Sequence, residues 1–505
     1  MMGSAIEIAR LSLGDAARLT RARELSVAEV VESTLGRIER YAHALNCLIS
    51  VRADEARREA RVADDAYASG HGVGPLHGVA VVVKDNIAVA GLRRTCGSEA
   101  TDGTAMRDAE VVSRLRTAGA IVTATANMYE FAYGSPHPAF GRTRNPIDPR
   151  RSCAGSSSGS AAAVAAGLCH AAIGTDSGGS VRAPASFCGV VGFKPTYHRL
   201  SRDGVVPVSW SVDHVGPLAR SVADLALVYR ALVDKARAAR RPSRTRVGVL
   251  GPDAWGLADL ALGPAIARAS DALRDSGAEI TVVPLPSLAV AQMVMWVITN
   301  AEAYTYHRPW LETRGERYGP SLRARLGRGA AIAAADYVHA QRLRERITRE
   351  VRDIFSRVDV VLLPTMACGA FAIGATEVAV GGGTLSAAGT FSFFNALANL
   401  TGQPAVTIPC AEDAHGLTLG LQLIGRPGDD EDLLDIAAVC EASLGGPRSV
   451  VDPSITVAAR LEEVSAPQPE PELAEMRRLL DDLRAVDAGD ANMPQGCVPA
   501  EWPRT

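Results

Sequence analysis

Arg151-Ser152-Cys153-Ala154-Gly155-Ser156-Ser157-Ser158-Gly159-Ser160-Ala161-Ala162-Ala163-Val164-Ala165-Ala166-Gly167 is a loop of small residues that runs straight into an Ala-rich helix. A strand-like stretch then leads to Gly174-Thr175-Asp176-Ser177-Gly178-Gly179-Ser180-Val181-Arg182. Two serine-glycine clusters therefore flank one short helix and one strand. The expectation is that they meet in space.

Upstream lies His77-Gly78-Val79-Ala80-Val81-Val82-Val83-Lys84-Asp85-Asn86-Ile87. A continuous Val/Ala run of this length predicts a strand buried on both faces, as in the middle of an α/β sheet. Lys84 stands at its end. It could snorkel to the surface, pair with Asp85, or sit desolvated and neutral as a base. Lysine is scarce here: of 53 basic residues only Lys84, Lys194 and Lys235 are lysine. Arginine cannot give up its proton inside a protein, whereas a buried lysine can.

Working outward, Ser26-Val27-Ala28-Glu29 is a capping box that predicts a helix over 26–44. A second helix is expected over 53–69 and a third over 108–118. Ala120–Ala124 reads as a strand, and Cys188–Thr196 as a strand and turn. Helices are predicted over 221–236, 262–275, 288–306, 335–356 and 429–443. Strands are expected at Val247–Leu250, Ile280–Val283, Val358–Pro364, Ala405–Pro409 and Leu419–Ile424. Such alternation argues for an α/β fold with a large, mostly buried sheet, in one domain over residues 1–455. Residues 456–505 differ. Pro467-Gln468-Pro469-Glu470-Pro471 reads as a stiff linker. Leu473, Met476, Leu479, Leu480 and Leu483 mark a short amphipathic helix that docks on its own body or on a partner. The last residues read as a fraying tail.

Composition narrows the function classes. The chain has 505 residues, 47% hydrophobic and 22% charged, with a net charge of −3. No clustered basic face suggests nucleic acid. No apolar run approaches the roughly 20 residues of a membrane span. No basic segment followed by an apolar block opens the chain, so a cytoplasmic location is expected. The nine cysteines are scattered, odd in number and without a CxxC pair. Free buried thiols are expected, and no metal site.

A Gly/Ser loop that opens a helix can be a linker, a phosphate cradle or a nucleophile's setting. The Ala-rich helix argues against a linker. A phosphate loop of the GxxxxGK[ST] kind needs a lysine that is missing. Gly178-Gly179-Ser180 suits nucleophilic catalysis, because backbone N–H groups of a tight glycine turn can hold an oxyanion. A GxSxG elbow is absent at Ser156 and Ser180. A serine needs a base. His170, His198 and His214 are available but stand in no recognisable pairing with an acid. Lysine is the alternative base.

At this point the sequence resembles the amidase signature family of serine hydrolases. The resemblance rests on Lys84 in Val82-Val83-Lys84-Asp85-Asn86, on Gly155–Gly167, on Gly174–Ala185 and on Cys188–Thr196. Weaker matches are Asn127–Gly134, Thr143–Pro146 and Asp213-His214-Val215-Gly216-Pro217. Together they span about residues 5 to 445. The resemblance implies a large twisted mixed β-sheet covered by helices on both faces. It implies Ser180 as nucleophile, Lys84 as base and Ser156 as the bridging serine with a cis peptide bond. Ser157 is the neighbouring rival for the bridge. Ser177, Gly178, Gly179 and Ser180 would supply the oxyanion hole, with Asp176 and Arg182 bracing the turn and Lys194 structural. Where the family has Gly-Gly before the first serine, this chain has Ala154-Gly155, preceded by Cys153.

Tyr133, Gly134, Ser157 and Trp210, with Phe391 or Phe394, are candidates for substrate contact. The implied activity is hydrolysis of an amide, with carbamates or esters as further substrates. It needs no cofactor, and a homodimer is the assembly left open. The second implied function is that of the glutaminase-type component of a glutamine-dependent tRNA amidotransferase, which feeds ammonia to a partner.

Overall fold

The computed structural model describes residues 8–70, 73–234, 245–251, 258–380, 383–454 and 473–488. Lys235, Cys497, the proline-rich 467–471 segment and the tail from residue 489 lie outside them.

Thirteen strands occur among these residues, in chain order β1 (Leu48–Val51), β2 (Ala80–Lys84), β3 (Ile121–Ala126), β4 (Ala171–Asp176), β5 (Val191–Lys194), β6 (His214–Ala219), β7 (Arg246–Leu250), β8 (Glu279–Val283), β9 (Val360–Pro364), β10 (Glu377–Val380), β11 (Gly383–Ser386), β12 (Ala405–Glu412) and β13 (Thr418–Gly425). Eleven form one sheet in the order β1-β3-β2-β4-β6-β5-β12-β13-β9-β7-β8, and β10 and β11 form a separate hairpin. The sheet is mixed. β3, β2 and β4 run parallel at one end, and β9, β7 and β8 at the other. The strands between them pair antiparallel. This is the α/β class expected, with helices packed on the sheet.

The strands read as continuous apolar runs are the buried ones. Every residue of β2, β3, β4 and β9 is buried. At the far edge β8 differs, with Glu279, Thr281 and Val282 facing solvent. Near the N-terminus the capping box is present: Ser26 Oγ accepts from the Glu29 amide and Glu29 accepts from the Ser26 amide.

β2 and β4 place the functional residues. They run parallel as neighbours, so both deliver their C-terminal ends to one edge of the sheet. Lys84 ends β2 and Asp176 ends β4. In open α/β sheets that edge is where ligands bind. Between the strands lies the short helix Ser158–Ala165, buried throughout. Its small side chains are required by its closeness to neighbours. A Cβ on Gly159 would stand 2.3 Å from the Cys47 carbonyl oxygen and 2.4 Å from that of Asn127.

Several boundaries differ from expectation. The helix expected over 288–306 runs Leu288–Arg314, through Pro309. Pro309 breaks the sequence pattern, but the helix tolerates it inside its C-terminal half. The helix expected to end at 236 ends at Leu232. The helix Pro320–Ala330 and strands β1, β6, β10 and β11 are not foreshadowed by the sequence pattern. The eight described cysteines are all buried and free. Among the described residues no helix is long and apolar enough to cross a membrane.

The C-terminal helix Leu473–Ala488 docks on its own body. Leu480, Leu483 and Val486 are buried in the main core, and Arg484 pairs with Asp336 of the helix Ala334–Arg357 at 2.6 Å. Leu483→Asp should remove this docking, since it trades a buried leucine for a charge at a cost of about 3 kcal/mol. Hydrogen exchange of the 477–486 amides should then speed up while that of β2 and β4 stays slow. Unchanged exchange would refute the docking.

Candidate active site

Lys84 is fully buried. Its Nζ lies 2.7 Å from Ser156 Oγ and 2.8 Å from Thr175 Oγ1, with the Thr175 carbonyl oxygen at 3.4 Å. Of the three readings of this lysine, surface snorkelling is excluded by burial, and its side chain bonds to no carboxylate. Burial penalises its charge and lowers its pKa to about 7, against the opposing pull of Asp176 and Asp213. A neutral amine has two hydrogens and one lone pair. The two Thr175 oxygens can accept the hydrogens, which leaves the lone pair for Ser156.

The Gly155–Ser156 peptide bond is cis. Gly155 is required here, because a Cβ would lie 2.5 Å from the Tyr129 ring. Ser156 and Ser180 open into one cleft, and the chain closes the loop on the turn through the Ser157 amide, which donates to the Ser180 carbonyl at 3.2 Å. Ser157 itself points away. Its Oγ donates to the Thr175 carbonyl at 3.1 Å, and it lies outside the residues lining the cleft. The rival bridging serine, also a candidate for substrate contact, is thus an internal tie between the helix and β4.

The turn after β4 is organised by Asp176. Its Oδ1 accepts from the Gly179 amide at 2.8 Å and its Oδ2 from the Val181 amide at 3.1 Å. The Arg182 guanidinium grips both oxygens, Nη2 to Oδ1 at 2.9 Å and Nε to Oδ2 at 3.0 Å. Burial alone would raise this carboxyl, but Arg182 holds it well below the usual carboxylate range. Gly179 was expected among the oxyanion donors; its amide is instead taken up by Asp176. Among the described residues nothing accepts from the amides of Ser177, Gly178 and Ser180. Those three remain open donors beside the cleft.

The cleft, about 110 Å³, is lined by Tyr129, Tyr133 and Gly134 together with Met295, Trp296 and Phe391. Met295 reaches the turn itself: a Cβ on Gly178 would stand 2.8 Å from its Cε. Arg325 lies over the Tyr133 ring at 4.1 Å and donates to the Tyr133 carbonyl at 2.9 Å. Among the described residues lining the cleft none is an aspartate or glutamate. Trp210 is not brought to this cleft. It lines a neighbouring cavity of about 220 Å³ with Asn86, Thr175 and Asp213, and it is 45% exposed. Phe394 belongs to the core, and Phe391 is the wall residue of the pair.

The histidines are placed elsewhere. His170 accepts from the Ala80 amide at the start of β2, and His214 lies 3.2 Å from Lys194 Nζ. Lys194 is buried and donates to the carbonyls of Pro195 and Gln403. Sequence reasoning missed Thr175, Met295, Trp296 and Arg325. Thr175 sits inside the Gly174–Arg182 motif, but only the β2/β4 register puts it against Lys84. Among the described residues no group of three or more metal-ligating side chains exists.

Comparison with known proteins identifies the family. The Amidase family matches residues 29–434. A glutamyl-tRNA(Gln) amidotransferase component from Symbiobacterium thermophilum is 39% identical over 469 residues, covering 84% of this chain and 95% of that protein. An amidase of Pseudomonas putida is 36% identical over 445 residues, covering 85% and 94%. A crystal structure of an amidase superposes with a TM-score of 0.81 at 34% identity, covering 86% of this chain and 100% of that one. Fold, site geometry and likeness agree that this chain belongs to the amidase signature family of hydrolases acting on carbon–nitrogen bonds.

Proposed function

We propose that this protein hydrolyses neutral amides through a Ser180 acyl-enzyme, with Lys84 as base and Ser156 as proton relay. The carrying observation is the 2.7 Å contact of a buried, charge-averse Lys84 with Ser156, in the cleft that Ser180 also lines. The proton of Ser180 passes to Ser156 while that of Ser156 passes to Lys84. The freed Ser180 oxygen bonds to the amide carbon, and the carbonyl oxygen becomes an oxyanion held by the Ser177, Gly178 and Ser180 amides. The C–N bond breaks as Ser156 returns a proton to the leaving nitrogen and is resupplied by Lys84. Water then repeats the sequence, releasing a carboxylic acid and free Ser180. Carbamates and esters present the same carbonyl geometry. The substrate is a small molecule, and neither nucleic acid nor a membrane is part of the reading.

A second reading, the glutamine-hydrolysing component of a tRNA-dependent amidotransferase, is favoured by the 39% identity to a component of such an enzyme. The cleft wall weighs against it. Free glutamine carries an ammonium group, and burying that charge without a partner is costly. No carboxylate lines this cleft to meet it, among the described residues. Beside its serines and Arg325 the lining presents Tyr129, Tyr133, Met295, Trp296 and Phe391, and that apolar part suits an aryl or alkyl acyl group. Aryl carboxamides and anilides should therefore be hydrolysed with kcat/KM at least about 100-fold above that for L-glutamine, the size expected when a binding partner for a charge is missing. Equal or better turnover of L-glutamine, or co-purification of a stable partner that captures the ammonia, would reverse the assignment.

A further inference from the structure

Asp213 takes no part in the proton relay, yet it holds two walls of the cleft. It lies just before β6 and is 7% exposed. The antiparallel register pairs Asp176 of β4 with His214 of β6, so the next residues outward, Ser177 and Asp213, face one another. Ser177 Oγ donates to Asp213 Oδ1 at 2.5 Å. The other carboxylate oxygen, Oδ2, accepts from the amides of Val208 at 2.9 Å and Ser209 at 3.0 Å. Ser177 and Val208 both line the catalytic cleft.

We propose that Asp213 is a positioning residue for the oxyanion turn, acting through the Ser177 hydroxyl to aim the Ser177 amide at the cleft. The proposal rests on the reading of Ser180 as nucleophile. Two features of the geometry support it. First, Gly178 and Gly179 follow Ser177 at once, and glycines leave the backbone free to turn. Asp176 fixes the Gly179 amide from one side. Without a second anchor, Ser177 and Gly178 would pivot. Second, a carboxylate is a strong choice for that anchor. Hydrogen bonds to a charged acceptor are shorter and about twice as strong as neutral ones. The Asp213 carboxylate receives three such donors, which oppose the burial that raises its carboxyl. Its loop is itself tied down, because Ser209 Oγ and the Ser211 amide donate to Glu302 Oε2 at 2.7 and 3.2 Å.

The test uses the full-length protein and a fluorophosphonate probe, whose phosphoryl oxygen must enter the oxyanion hole as the probe labels a serine. Asp213→Asn keeps an oxygen for the Val208 and Ser209 amides but offers Ser177 an N–H in place of a charged acceptor. Ser177→Ala deletes the hydroxyl and keeps the amide. Removing one oxyanion donor outright costs about 10²–10³-fold in rate, so a misaimed donor should cost about tenfold or more. Both variants should lose that much in the maximal labelling rate, with the saturating probe concentration unchanged and the fold retained by circular dichroism. The double variant should be no slower than Asp213→Asn alone, since both act through one bond. Wild-type labelling rates in Ser177→Ala, additive losses in the double variant, or a loss carried wholly by probe affinity would each overturn the proposal. Should Asp213→Asn not fold, Ser177→Ala still decides. If the wild-type protein is not labelled at Ser180, the nucleophile reading has failed, and that result is separate from any difference among the variants.

Discussion

Ser180→Ala and Lys84→Ala are each expected to lower kcat by about 10⁴-fold or more, in the range seen when one member of a serine nucleophile–base unit is lost. Circular dichroism should show the fold retained, because neither residue closes the core by itself. Lys84→Arg should be just as inactive, since a guanidinium cannot act as a base at any working pH. The pH profile gives the sharper check. Burial lowers the Lys84 pKa to about 7, and the base works only when neutral. Activity should therefore rise with pH as one group deprotonates near 7, reach about half its plateau there, and flatten above about 8. A profile flat between about pH 5.5 and 8.5, or one that falls through 7, would remove Lys84 from the role of base. Full activity in a folded Ser180→Ala variant would remove Ser180 from the role of nucleophile.

The parts legible in the sequence were those whose physics is local. The Val79–Val83 run must be buried on both faces wherever it sits, and the Ser26–Glu29 box must start a helix. The Gly155–Gly167 loop announced a close-packed helix, and Gly159 against the Cys47 carbonyl shows why its residues are small. Hidden parts depend on register and distance. Thr175 meets Lys84 only because β2 and β4 are parallel neighbours. Met295 and Trp296 reach the cleft from a helix that begins at Leu288, far downstream of Ser180. Trp210 looked like a wall residue by type, but the chain places it in the next cavity. Gly179 looked like an oxyanion donor by position. Only the folded turn shows that its amide is already taken by Asp176.

Breaking the Asp176–Arg182 pair should be the most damaging single change to stability. Both side chains are fully buried. The fork between them is bidentate, and the guanidinium also donates to Gln422 Oε1 at 2.5 Å, Asn399 Oδ1 at 2.6 Å and the Asn395 carbonyl at 3.1 Å. Such a pair contributes little net stability over a well-packed apolar substitute, because desolvating two charges costs nearly what their attraction returns. Removing one partner is different. Arg182→Leu leaves a buried carboxylate uncompensated, at about 3–5 kcal/mol. The sign of its pH dependence follows from Asp176. In the native protein Arg182 holds the carboxyl below its unfolded value, so its contribution is present above about pH 4 and is lost only as pH falls further. In the variant burial dominates and raises the carboxyl. Its folded state is then relieved by protonation, so the stability gap should narrow as pH drops from about 7 toward 5. Arg182→Leu combined with Asp176→Asn should be less destabilised at about pH 7 than Arg182→Leu alone, though inactive, since the turn would lose its charged anchor. Urea midpoints at about pH 7 and pH 5 for Arg182→Leu, Asp176→Asn and the double variant measure all of this. A gap that widens at the lower pH, or a double variant weaker than Arg182→Leu, would show that packing rather than the buried charge holds the turn.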